Sequence, residues 1–119
     1  MSATIHTRQS GDVTIVDVAG RIQLGEGSSA LRDTLRELVA KNQIRILLNL
    51  GEVSYIDSSG IGELVAGFTA VTNRGGQLKL LNLTKRVTDL LQITKLYTVF
   101  DVYDDEAKAI RSFTAAAGA

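Results

Sequence analysis

Ile44-Arg45-Ile46-Leu47-Leu48-Asn49-Leu50, followed by Tyr55-Ile56-Asp57-Ser58-Ser59-Gly60-Ile61-Gly62, is the stretch that decides the fold. The first run is too short for a typical helix and rich in branched apolar side chains, as expected of a central strand covered on both faces. Beyond it Ile61, Leu64, Val65, Phe68 and Val71 recur at spacings of three and four. That places them on one face of a helix running to about Arg74, and the face should pack on the sheet.

The strand-to-helix junction carries the candidate site. Asp57, Ser58 and Ser59 all have oxygens that accept from the unpaired N–H groups of a first helical turn, so one of them is expected to be the cap. Gly60 and Gly62 fall in that turn, where glycine costs helix stability but lets another molecule approach the backbone closely. A hydroxyl at a helix N-terminus is also well placed to carry a phosphate, since free N–H groups and the positive dipole end favour negative charge. Ser58 and Ser59 are therefore candidates for modification. The same D-S-S-G is equally what a plain turn and cap would need.

Working back towards the start, Thr4 to Gln9 alternates weakly and ends at the turn signal Ser10-Gly11-Asp12, and Val13 to Val18 is rich in β-branched residues, which predicts a hairpin. His6, the only histidine, falls on its first strand at a solvated position. Arg21 to Gly27 reads as a glycine-bearing loop without the spacing of a nucleotide-binding loop. Ser28 or Ser29 then caps a helix with the stripe Leu31, Leu35, Leu38 and Val39, along which Asp33/Arg36 and Glu37/Lys41 are expected to pair.

Towards the other end, Arg74-Gly75-Gly76 supplies a helix stop and Gln77 to Leu83 reads as a strand. Thr84 caps a short helix with Val87, Leu90 and Leu91, and with Ile93 as a further candidate for its apolar face, and Val99 to Tyr103 reads as a last short strand. Asp104-Asp105-Glu106 then opens a terminal helix through Ile110 and Phe113. The element order predicts an α/β fold: a mixed sheet of four to five strands with an N-terminal β-hairpin and about four helices. Residues 1–113 form one domain and 114–119 a tail expected to fray.

Composition narrows the function. The 119 residues suit one domain with its own core. Thirteen basic residues balance thirteen acidic ones with no basic run, which disfavours a nucleic-acid partner. No apolar run approaches a membrane span and the first residues lack the apolar core of a signal peptide, so no membrane partner and a cytoplasmic location are expected. The absence of Cys removes disulfides and thiolate chemistry. With a single remote His6 there is no nucleophile and base pair, so no catalytic residue, metal site or cofactor is expected.

The chain resembles STAS domains, and among them the stand-alone bacterial anti-sigma-factor antagonists, over nearly its whole length. The resemblance rests on Leu48-Asn49-Leu50 leading into Tyr55 to Gly62, on Arg74-Gly75-Gly76, and on the tail Leu91-Gln92-Ile93-Thr94-Lys95-Leu96 to Val99-Phe100-Asp101-Val102-Tyr103. It implies a binding protein without enzyme activity that acts by partner switching in transcription regulation. The unmodified protein would sequester an anti-sigma factor that is a Ser/Thr kinase and so free a sigma factor. That kinase would phosphorylate the second hydroxyl residue of D-S-[ST]-G, here Ser59 with Ser58 as the alternative, and a phosphatase would reverse it.

The implied partner-binding residues are Gln23, Asp57, Ser58, Ser59, Gly60, Ile61 and Gly62. One departs from the pattern: members carry G-x-L-D after the second strand, and here Gly20-Arg21-Ile22-Gln23 offers an amide that hydrogen bonds but has no charge. A monomer or weak dimer is expected. The competing expectation is a structural STAS subunit of a stress-signalling particle or transport complex.

Overall fold

The computed structural model describes the backbone of residues 3–118 and the side chains of residues 3–113. Strands β1 (Thr4–Ser10) and β2 (Val13–Ile22) form the hairpin, followed by α1 (Glu26–Ala40), β3 (Arg45–Ile56), α2 (Ser58–Asn73), β4 (Gln77–Leu81) and α3 (Lys85–Ile93). A 3-10 turn at Tyr97–Val99, a two-residue β5 (Val102–Tyr103) and α4 (Glu106–Gly118) complete the chain. The sheet order is β1-β2-β3-β4-β5, antiparallel between β1 and β2 and parallel across the rest. The expected α/β fold, a mixed sheet of four to five strands with about four helices, is what the chain adopts, with five strands and four α-helices among the described residues.

Alternation along the strands decides which layer each side chain joins. Val16, Val18, Ile46, Leu48, Leu50, Leu78 and Leu80 face one side, where Leu31 and Leu35 of α1, Ile61 and Leu64 of α2, and Val87 and Leu91 of α3 cover them. Val13, Ile15, Leu47 and Leu81 face the other, under Ala109 and Phe113 of α4. Lys79 is buried on that second side. Its ammonium donates to Ser112 Oγ at 2.9 Å and lies 4.8 Å from the Phe113 ring and 5.7 Å from that of Tyr103, which pins α4 to the sheet. The backbone of α4 is helical to Gly118, beyond the boundary expected at residue 113; the side chains of the tail, 114–119, lie outside the described residues.

Five local expectations are corrected. β3 does not stop at Leu50 but runs to Ile56, because register shifts in its pairing with β2 between Asp17 and Ala19 and between Gly20 and Arg21 let the ladder continue past Gly51. β4 ends at Leu81, since Asn82 takes the left-handed conformation at φ 58°. The segment expected as one strand, Val99 to Tyr103, is split between the 3-10 turn and β5. α1 starts before Ser28 and Ser29: its N-cap is Gly25 at φ 107°, with no side-chain cap bond. Gly27 sits in its first turn so close to the backbone of Arg21 that any Cβ would collide with the Arg21 carbonyl. On the surface of α1 the ion pair among the described residues is Arg32–Asp33 at 3.5 Å, in place of Asp33/Arg36 and Glu37/Lys41.

Candidate functional site

The end of β3 delivers Asp57 into the N-cap of α2, with an extended backbone and its Oδ1 accepting from Gly60 N–H at 3.0 Å. Of the three expected candidates, Asp57 is the cap. Its second oxygen does a different job, accepting from Leu24 N–H at 3.0 Å, while Asp57 N–H donates to the Ile22 carbonyl at 3.2 Å. One carboxylate thus joins the start of α2 to the β2–α1 loop that contains Gln23. Partial burial pulls the Asp57 carboxyl pKa up, but the N–H groups of Leu24, Gly60 and Ser59 outweigh it and hold the carboxyl below the usual range.

The sign of the pH effect follows. A depressed folded pKa gives stability that is fully present above the unfolded value, about 4, and is lost as pH falls through the folded value. Urea unfolding between about pH 6 and about pH 3 is expected to show wild type losing stability to acid, and Asp57→Asn losing measurably less. An equal acid dependence in the two proteins would mean Asp57 is not held as described.

Ser58 and Ser59 occupy the first two positions of α2, Ser58 exposed and Ser59 half-buried. Gly62 is exposed, and a Cβ there would meet nothing within 4 Å. Gly60 differs. A Cβ built on it would lie 2.5 Å from the Ile22 carbonyl oxygen and 2.7 Å from Ile56 Cγ1, so the close approach expected at this glycine is made by the protein's own β2. Ile61 is buried in the core beneath α2. Gln23 is half-buried, and its carbonyl accepts from Ser28 N–H at 3.0 Å. Asp57, Ser58, Ser59 and the Gln23–Leu24 loop are therefore one contiguous end of the molecule, at the C-terminal edge of β2 and β3.

Sequence reading did not find three features of this end. Leu24 is 80 % exposed at the loop held by Asp57. Tyr55 has the guanidinium of Arg21 at 5.0 Å and that of Arg86 at 4.4 Å from its ring centroid, and Arg86 Nε also donates to the Ile56 carbonyl at 3.4 Å. Arg21 stands opposite Tyr55 in the β2–β3 register, whereas Arg86 comes from α3. No spacing in the chain announces such a grouping, since it depends on register and on where α3 is laid.

On the other side of the sheet, Arg8 bridges Asp17 at 2.6 Å and Glu106 at 2.7 Å. Asn49 Nδ2 donates to Asp17 at 2.9 Å, and its Oδ1 accepts from Gly51 N–H and Asn82 Nδ2. The hydrogen bond to Arg8 is the main reason that the Asp17 and Glu106 carboxyls both titrate below their usual range, and that Arg8 is held charged. Among the described residues no group of three His, Asp or Glu side chains has the placement of a metal site, and no helix is long and apolar enough to cross a membrane.

The STAS domain family profile matches residues 4–109. The anti-sigma-B factor antagonist of Bacillus subtilis is 35 % identical over 103 residues, which is 86 % of this chain and 92 % of that one. An anti-sigma-factor antagonist (STAS) domain protein from Planctomyces limnophilus superposes with a TM-score of 0.81 at 21 % identity, covering 92 % of this chain and 97 % of its own. The Bacillus cell fate determinant SpoIIAA in its phosphorylated form gives a TM-score of 0.73 at 17 % identity, covering 92 % of this chain and 98 % of its own. The bulged central strand, the capped α2 and this match over most of the length agree: the chain belongs to the STAS domain family.

Proposed function

We propose that this protein is an anti-sigma-factor antagonist that, unphosphorylated, binds an anti-sigma factor of the Ser/Thr kinase type in the cytoplasm and so releases a sigma factor. Phosphorylation at Ser59 switches the binding off, and a phosphatase restores it. The observation that carries the reading is the end of α2: two adjacent hydroxyls on the first turn, Ser58 and Ser59, beside a loop tied down by Asp57. The 35 % identity to the Bacillus subtilis antagonist supports the partner class. A phosphate adds about 1.5 to 2 negative charges at pH 7, which a helix N-terminus tolerates and a desolvated interface does not. Gln23, Asp57, Ser58, Ser59, Gly62 and the first turn at Gly60 and Ile61 form the proposed contact region, with Gly60 and Ile61 shaping it from beneath.

Affinity capture with wild type and Ser59→Ala, read by mass spectrometry, is expected to retain an anti-sigma factor with a kinase domain. Incubating wild type with that kinase and ATP should place phosphate on Ser59. Phosphate on Ser58 alone overturns the assignment of the switch residue. Capture of structural STAS proteins in a large particle, without a kinase, would favour the subunit reading instead.

A further inference from the structure

We propose that Arg21, Tyr55 and Arg86 form a docking site for a cluster of carboxylates on the protein partner, with Leu24 as the apolar anchor beside it; this rests on the partner-binding reading above and specifies the chemistry of that partner. Both guanidiniums lie against one half-buried ring, at 5.0 and 4.4 Å, so the two cations stand about a Debye length, ~10 Å, apart or closer. Arg8, Arg32, Arg45, Lys79 and Lys85 each have a carboxylate within 4 Å, and Arg36, Lys41, Arg74, Lys95, Lys108 and Arg111 have none among the described residues but do not share an aromatic ring as Arg21 and Arg86 do. Arg21 and Arg86 have no such carboxylate among the described residues either. Held on one ring, both cations can face a single cluster of carboxylates.

The guanidinium of Arg86 is also fixed, by the ring and by the Ile56 carbonyl, which leaves its other N–H groups oriented for a carboxylate at little further entropic cost. Tyrosine and arginine are the residue types that most often dominate interface energies, and a leucine 80 % exposed on an anchored loop supplies the apolar contact. A nucleic-acid partner is a poorer fit: the chain has no net charge, and two cations cannot follow a phosphate backbone. The patch lies two to four residues from Ser58 and Ser59 through Tyr55 and Ile56. A phosphate added there turns a carboxylate-attracting end into a carboxylate-repelling one, which gives the switch its sign.

The first arm of the test needs no partner. Isotope-labelled full-length protein is titrated with hexaglutamate, and with hexaglutamine as control, while the arginine Nε–H resonances are followed. Arg21 and Arg86 are expected to shift together with hexaglutamate alone, with Arg8 and Arg45 still, and Arg86→Gln to weaken the response about fivefold or more. Shifts spread evenly over the arginines, or absent, overturn the site. The second arm uses the captured anti-sigma factor: R21Q and R86Q should each lose about tenfold in affinity with a shallower salt dependence, and Arg86→Lys should recover part of it. Unchanged affinity in the R21Q/R86Q double variant overturns the docking role. If no anti-sigma factor is captured, the function reading fails and the peptide titration still decides the site.

Discussion

Ser59→Asp is expected to abolish partner binding while leaving the fold as stable as wild type. Residue 59 is the second position of α2, where a carboxylate meets a favourable helix dipole worth about 0.3 to 1 kcal/mol. The Asp57 carboxylate, already committed to Gly60 and Leu24, sits two residues away and offsets part of that gain by like-charge repulsion. What remains is under about 1 kcal/mol, so the unfolding midpoint should move by no more than a few degrees. Inside an interface the same carboxylate loses its water. Unpaired, it costs several kcal/mol, which weakens binding by about a hundredfold or more. Ser59→Ala is the control: it removes the hydroxyl without adding charge, so it should bind and resist phosphorylation. Calorimetry and thermal unfolding on the three proteins separate the cases. Tight binding by Ser59→Asp would sink the electrostatic switch, and a large loss of stability would make Ser59 a structural residue.

Gly60→Ala is expected to be clearly destabilising, and Gly62→Ala to act in the opposite direction. A Cβ at residue 60 would press on the Ile22 carbonyl at 2.5 Å, on Ile56 Cγ1 at 2.7 Å and on Ile22 Cγ2 at 2.9 Å. The nearest of these atoms is backbone, so α2 must lift from β2. Overpacking of this kind costs about 1 to 3 kcal/mol or more, and the helix-propensity gain of about 1 kcal/mol recovers only part of it. At residue 62 nothing lies within 4 Å, so the propensity gain is expressed in full. Chemical unfolding of the two variants should therefore show a net loss of about 2 kcal/mol for one, the upper end of the overpacking range less the propensity gain, and a gain of up to about 1 kcal/mol for the other. Gly60→Ala with wild-type stability would mean β2 and α2 are not locked together. Gly62→Ala that unfolds normally but binds poorly would identify Gly62 as the glycine a partner approaches.

The fold was legible where local chemistry and tertiary context agree. The branched apolar run Ile46-Leu47-Leu48, the stripe of α2, the Arg74-Gly75-Gly76 stop and the Thr84 cap, whose Oγ1 accepts from Val87 N–H, all stand as read. Reading failed where a residue's conformation is set by a distant neighbour. β3 outlasts Leu50 because β2 shifts register to follow it, and α1 starts at Glu26 because Gly27 fits under the Arg21 carbonyl. At the site, Asp57 was recognisable as a capping residue. Its hold on Leu24 was not, since the two are thirty-three residues apart and nothing in either segment refers to the other. The Arg21–Tyr55–Arg86 grouping was hidden for the same reason.

The Arg8 bridge to Asp17 and Glu106 brings residues ninety-eight positions apart into hydrogen-bond contact. The end of β1 and the first turn of α4 are thus held side by side, so the edge hairpin and the helix packed on that face of the sheet cannot part without breaking the Arg8–Glu106 pair.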